Sequence, residues 1–320
     1  MEKNLAYYKD AFKKLKVDKN KVRGDAPHKP ILLLAIIKLF EKNAIGGNRI
    51  YFDEVINDFM TNWQAYVTTD HDPRVSLPFS HLPSSGFWKL IPKEGFEFVI
   101  DLVDLRIIKN IRATVDYAEI DFELSVFLRD SQSRKELKDL LLEKYFPQTK
   151  NVNPYKLGNY DLNLEREILE ESPSEYKNII IEREKVLSTE LFQQENIGRN
   201  AEFKRVVPRI YGYACCISEM SIAFDGIQMV DACHIVPFSE SYNDTISNGI
   251  ALCPNLHRAF DRGIISIDNN YKVLVSNRLK EKCSAYSIKE FTNKQILLPE
   301  NPYYYPSLKN LANHRAKFGF

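Results

Sequence analysis

Long hydrophobic runs are missing from this chain. The longest apolar stretch, Ile31 to Ile37 with Leu39 and Phe40 beyond it, falls well short of the roughly 20 residues that a membrane-spanning helix requires. The amino terminus also lacks the apolar core and small-residue cleavage pattern of a secretory signal. These absences exclude a helical membrane protein and predict a soluble, cytoplasmic one. Cysteine is scarce as well. The five, at positions 215, 216, 233, 253 and 283, are odd in number and form no paired CxxC spacing, which excludes a disulfide framework and speaks against a zinc ribbon. That usage suits a reducing compartment with most thiols packed in cores; a structural zinc among Cys216, Cys233 and Cys253 is the alternative. Net charge is nearly absent too, at +1. Its distribution matters more than its total for a protein that meets a polyanion. Residues 1–30 carry nine Lys or Arg against four Asp or Glu, which fits either a phosphate-facing surface or the wet face of an ordinary helix. Residues 151–200 reverse this with six against ten, as a solvated connector would.

What is present is ordinary globular material: 320 residues, 44% apolar and 27% charged, sufficient for two domains. Helical spacing runs through Leu5, Tyr8, Phe12 and Leu15, and a polar turn reaches Pro27-His-Lys-Pro30. Ile31 to Lys42 is apolar nearly all round and predicts a buried helix at the heart of the first domain. Tyr51 to Tyr66 reads as another helix, and Asp70 to Gly95, broken by proline, serine and glycine, as loop and strand. A helix over Arg134 to Phe146 closes this region. Helices at Asn163 to Glu171 and Glu175 to Gln194 make a structured spacer, Arg199 to Tyr213 opens the last domain, and Ile264 to Ser276 alternates like a hairpin. The expected fold class is α+β, divided into residues 1–148, a helical linker 149–198, and residues 199–320.

The densest chemistry lies in Asp231-Ala-Cys-His-Ile-Val-Pro237, Asn248-Gly-Ile-Ala-Leu-Cys253 and His257-Arg-Ala-Phe-Asp-Arg-Gly263. Gln228 to Val236 predicts a strand that Pro237 ends, because proline cannot donate to a sheet ladder. Ile250 to Cys253 is a second short apolar run. Pro254 suits a first helical turn and Gly263 a helix stop, so His257 and Asp261, four apart, share one helix face as metal ligands would. A histidine, an asparagine, a second histidine and two carboxylates this close together suit metal-assisted cutting of phosphodiesters.

This pattern resembles the HNH endonucleases, whose ββα-metal finger packs two strands and one helix around a single divalent ion. The resemblance implies that His234 is the general base, that Asn248 fixes the loop as the second member of the catalytic set, and that His257 and Asp261 are metal ligands. Many members carry an acidic or histidine ligand directly before the base, where this chain has Cys233. Strand alternation puts Asp231 on the same side, and Asp231 is the expected third ligand, since Mg²⁺ prefers oxygen to a soft thiol. One Mg²⁺ or Mn²⁺ per site, Arg258 and Arg262 gripping flanking phosphates, and 5′-phosphate and 3′-hydroxyl products complete the implied picture.

Pro27-His-Lys-Pro30, Leu77-Pro-Phe-Ser-His81 and Gly86-Phe-Trp-Lys-Leu90 resemble the sulfur-recognising domain found ahead of some HNH restriction enzymes, over about residues 1–147. That resemblance implies binding of DNA whose backbone carries a phosphorothioate. Sulfur is larger, softer and less hydrated than oxygen, so an apolar cup gains from burying it while cations hold the remaining charge. Leu77, Pro78 and Phe79 are the expected cup, although the family often has an aromatic residue at the position of Leu77. His28, Lys29, Arg74 and His81 are the expected polar surround.

The favoured reading is a modification-dependent restriction endonuclease acting on double-stranded DNA in defence against foreign DNA. One site per chain would cut both strands either as a homodimer or by sequential nicking. Two alternatives stand beside it: a DNA-binding protein with a catalytically weak finger, kept open by Cys233, and an HNH nuclease that reads a methylated base or a plain sequence. A flipped-base reader would need an aromatic-walled pocket, for which Trp63, Phe87 and Trp88 are available.

Overall fold

The structure, a computed structural model, describes residues 3–20, 22–154, 160–224, 227–282 and 286–320. The chain divides into two compact units, residues 1–163 with 187–198, and residues 164–186 with 199–320.

In the first unit, α1 (Leu5–Lys13) is capped by the Asn4 side chain, which accepts from the Tyr7 amide, and it buries Tyr8 and Phe12. A short hairpin, β1 (Lys19–Asn20) with β2 (Gly24–Asp25), leads to α2 (His28–Glu41). Nearly every residue of α2 from Lys29 to Phe40 is buried, as its all-round apolar character demands, and the other helices gather about it. The helix starts three residues before the expected Ile31. Pro30 does not forbid this, because amides of the first turn have no intrahelical acceptor to lose. Next come β3 (Arg49–Ile50), α3 (Ile56–Tyr66), α4 (Ser76–His81), β4 (Trp88–Pro92), α5 (Ile108–Thr114), β5 (Val115–Ile120), α6 (Phe122–Arg129) and α7 (Ser131–Tyr145). The strands form one antiparallel sheet in the order β3, β5, β4. Of the loop and strand expected over 70–95, β4 supplies the strand, while the loop is corrected at Leu77, Pro78 and Phe79, which sit on a helix with Pro78 again inside a first turn.

Two further helices, α8 (Tyr160–Glu170) and α9 (Pro173–Val186), precede α10 (Thr189–Ile210). The single helix expected over 175–194 breaks at Leu187-Ser188, where the Ser188 hydroxyl accepts from the Leu191 amide and starts the next helix. Residues 149–198, read from sequence as one connector, are shared between the units, and α10 runs without interruption through position 199.

The second unit continues with a hairpin of β6 (Ala223–Phe224) and β7 (Ile227–Gln228), then β8 (Asp231–His234), the one-turn α11 (Phe238–Ser241), β9 (Gly249–Leu252), α12 (Pro254–Asp261), the β10 (Ile265–Ile267) and β11 (Val273–Val275) hairpin, and α13 (Leu308–Phe318). Strands β8 and β9 pair antiparallel with His234 opposite Gly249 and Asp231 opposite Leu252. Helix α12 buries Leu256, Ala259 and Phe260, and Gly263 closes it at φ +63°, a left-handed position that favours glycine. No helix among the described residues is long and apolar enough to cross a membrane.

Candidate functional site

The first constellation grows from the β8–β9 pair and α12. Burial of Leu256, Ala259 and Phe260 fixes which way α12 faces, and that leaves His257 and Asp261 one turn apart beside β8. Asp261 Oδ2 lies 3.5 Å from His257 Nε2, and Asp231 Oδ2 lies 3.5 Å from His257 Nδ1. The Cys233 thiol is 3.7 Å from Asp261 Oδ1. Among the described residues, the group whose donor atoms all fall within 4.8 Å of one another is Cys233, His257 and Asp261. It differs from the expected set in one member. Asp231 stands two residues back along β8, about 6.5 Å of strand, so its carboxylate reaches only the near nitrogen of His257 while Cys233 stands abreast of Asp261. Sulfur, nitrogen and oxygen donors gathered this closely fit one divalent ion, toward the softer end of the series. Burial pushes the Cys233 thiol well above its ordinary value, and the Asp261 and Asp231 carboxylates push the same way; a cation there would reverse that balance.

His234 ends β8. Its Nε2 lies 2.7 Å from Asp244 Oδ1, and its ring stacks on Phe203 with centroids 3.9 Å apart and planes 10° from parallel. Gly249 makes that stacking possible: a Cβ there would meet the Phe203 ring at 2.9 Å and Val207 at 2.7 Å. Asn248 is fully buried and works entirely on the loop. Its Nδ2 donates to the Val236 and Asn243 carbonyls, and its Oδ1 accepts from the Val236 amide and from Asn310 Nδ2. These bonds tie together the turn that follows His234. Arg258 and Arg262 are exposed on α12 and its end.

His314 is a core residue. It stacks on Phe260, and its two ring nitrogens face Ser266 Oγ at 2.9 Å and the Phe260 carbonyl at 3.1 Å. Burial lowers it to about 4. Cys215, Cys216, Cys233 and Cys253 are all free and buried; Cys216 and Cys253 do not join Cys233 in the ligand group, and Cys283 lies outside the described residues.

The second constellation, in the first unit, is a cavity of about 520 Å³. It gathers six of the seven residues singled out by sequence: His28, Lys29, Arg74, Leu77, Pro78 and His81. On a helix, positions 77, 78 and 81 span an arc of about 100°, and position 79 points away from it. Phe79 is accordingly not a wall of the cup. It is fully buried, with its ring edge-on to Phe52 and Trp88, and its carbonyl accepts from Trp88 Nε1. Lys16, Arg23, His71 and Arg106 also line the cavity and were not singled out by sequence. They come from three separate stretches of chain, and only the lysine-rich amino terminus hinted at them.

The cavity is lined mainly by basic side chains, with Asp18 and Asp72 among them. Burial lowers His28 to about 4, with His71 and Arg74 adding to the effect. Burial lowers Lys29 with Lys16 beside it, and lowers His81 with Lys29 and Arg106 beside it. Lys29 donates to Ser84 Oγ at 3.0 Å, and His28 Nε2 faces the Asp72 carbonyl at 2.9 Å. Arg74 Nε is buried with no hydrogen-bond partner. The aromatics available for a flipped-base pocket are committed elsewhere: Trp63, Phe87 and Trp88 are 8%, 1% and 4% exposed.

Among curated proteins none matches the chain. One solved structure, a modification-dependent TagI restriction endonuclease, is 22% identical over 38% of this chain and 38% of its own length, with a TM-score of 0.29. The chain thus spans well under half of that protein. Two family models match: HNH endonuclease over residues 215–268, and ScoMcrA-like DNA sulfur-binding domain over residues 7–153. The first unit thus carries a DNA-binding domain of the ScoMcrA-like sulfur-binding kind, and the second carries an HNH-type DNA endonuclease domain.

Proposed function

We propose that this protein is a modification-dependent restriction endonuclease that recognises phosphorothioated DNA through the cavity of its first unit and hydrolyses phosphodiesters in the second. The observation that carries the reading is the buried, unpartnered Arg74 Nε of a residue that lines a cavity rich in basic side chains, Lys16, Arg23, Lys29 and Arg106 among them. A buried donor without an acceptor is costly, and a phosphate-like anion supplies an acceptor and a charge opposite to that of the lysines and arginines around it. Leu77 and Pro78 beside it offer apolar surface to a soft sulfur atom.

In the second unit His234 takes the proton of the attacking water, a role typically worth about 10²–10⁴-fold. His257 and Asp261 hold the divalent ion, Mg²⁺ or Mn²⁺, together with Cys233 or Asp231 from β8. When bound, the ion supplies positive charge against the negative charge that develops on the phosphate and leaving oxygen. Arg258 and Arg262 grip neighbouring phosphates, and Asn248 keeps the His234 turn in place. The partner is double-stranded DNA, cut in both strands by a homodimer or by sequential nicks.

The test offers plain, phosphorothioated and cytosine-methylated plasmids of one sequence to the wild type and to His234→Ala, with Mg²⁺ or Mn²⁺. Preferential cutting of the phosphorothioated plasmid, lost in the variant, is expected. Equal cutting of all three removes the modification-dependent reading, and cutting by His234→Ala removes the assigned base.

A further inference from the structure

We infer that a buried chain of side chains from α8, α9 and α10 holds His234 in one ring orientation and one tautomer, with Asp244 as its positioning residue. This rests on the reading of His234 as the base. The links run from Asp244 Oδ1 to His234 Nε2 at 2.7 Å, from Tyr176 Oη to Asp244 Oδ2 at 3.3 Å, from Arg199 Nη1 to Tyr176 Oη at 3.4 Å, and from Arg199 Nη1 to Glu167 Oε2 at 2.5 Å. Asp244, Tyr176 and Arg199 are at most 1% exposed.

The order of donors follows from chemistry. Burial and the neighbouring Asp244 raise the Tyr176 phenol, so it keeps its proton and donates to Asp244 Oδ2. Asp244 Oδ1 is then free to accept from His234 Nε2–H. A neutral imidazole has one N–H, so a proton fixed on Nε2 leaves the lone pair on Nδ1, the nitrogen that takes the proton from water. The Phe203 stack prevents the ring from turning about its axis. Arg199 and Arg183 both reach Glu167, which anchors the far end of the chain.

Glu167, Tyr176 and Arg199 all lie outside residues 215–268, so the HNH-matched segment does not contain the support of its own base. Residues of the stretch that sequence reads as a spacer belong to the catalytic unit.

The test uses the full-length chain. Asp244→Asn is expected to lower kcat by about 10²-fold or more with KM for DNA unchanged, since it removes much of the general-base contribution. Tyr176→Phe, which deletes one oxygen, is expected to lower kcat by about tenfold. In metal-free protein labelled on histidine, NMR of the His234 ring, assigned with His234→Ala, is expected to show the Nε2–H tautomer in the wild type and a loss of that single state in Asp244→Asn. An unchanged tautomer, or wild-type kcat in both variants, overturns the inference. If Asp244→Asn does not fold, Tyr176→Phe decides alone by the same two readouts. Cutting by His234→Ala would instead overturn the underlying assignment of the base.

Discussion

Arg74→Met separates a phosphate clamp from a packing residue, because the two roles predict opposite signs for stability. In the free protein Arg74 Nε is a buried donor without a partner, a situation that costs about 1–3 kcal/mol. Methionine matches much of the length and removes the donor, so the melting temperature of the variant is expected to hold or rise. Binding moves the other way. A charge-assisted hydrogen bond to a phosphate contributes about 1.5–3 kcal/mol, so affinity for a phosphorothioated duplex should fall about 10- to 150-fold. Removing one phosphate contact also lowers the slope of log affinity against log salt by about 0.9. Fluorescence anisotropy with matched plain and phosphorothioated duplexes over a salt series, together with a thermal melt, measures all three quantities. Leu77→Ala is the companion variant: it trims apolar surface only, and it should reduce the preference for sulfur over oxygen without changing the salt slope. A lower melting temperature for Arg74→Met with unchanged affinity and slope would refute the clamp.

Three further outcomes follow from the finger. Gly249→Ala places a methyl against the Phe203 ring and Val207, so Phe203 must shift away from His234; about 1–3 kcal/mol of stability and most of kcat should be lost, measured by denaturant melts and plasmid nicking. Cys233→Ser and Asp231→Asn divide the choice of third metal donor. If the thiol is the ligand, Cys233→Ser weakens binding of Mn²⁺ and Zn²⁺ by isothermal titration more than Asp231→Asn does, and the reverse ranking names Asp231. His314 sets a pH dependence. The unfolded imidazole gains its proton near 6.5, and the folded one stays neutral until about 4, so its contribution is complete above about 6.5 and is lost as pH falls toward 4, by up to about 3 kcal/mol. Denaturant melts of wild type and His314→Gln from pH 7 to pH 4 should converge as the pH drops.

The finger was legible because its chemistry is written in local spacing. Pro254 and Gly263 bracket one helix, four residues separate His257 from Asp261, and Pro237 ends a strand; each is a short-range constraint that tertiary context does not overrule. The third donor was harder. Hardness of the ion favours Asp231, whereas the strand rise sets Cys233 abreast of Asp261 and leaves Asp231 against the other nitrogen of His257, so spacing alone does not choose between them. The first unit was less legible for the same kind of reason. Its cavity draws Lys16, His71 and Arg106 from distant stretches, and no local period announces such a meeting. Phe79 misled because it sits in an apolar tripeptide whose helical turn carries positions 77 and 78 to the cavity and position 79 to the core.

Asp244 shows where spacing stops and packing takes over. In sequence it is one residue of a polar loop, and Asn-Asp there signals a turn. Its meaning comes from depth. At 1% exposure a carboxylate must be satisfied, and its two oxygens find His234 on one side and Tyr176 on the other. Tyr176 and Arg199 lie 68 and 45 residues earlier, in helices whose acidic surface residues made the stretch look like a solvated connector. The buried faces of those helices carry the polar groups that lead to Asp244 and His234, and the exposed faces carry the charges that dominate the composition. A charge count over 151–200 therefore reports the exposed side of the helices, and a truncation guided by it, starting the nuclease at residue 199, keeps Asp244 but removes Tyr176 and Glu167, so its kcat in plasmid nicking should fall at least as far as that of Tyr176→Phe.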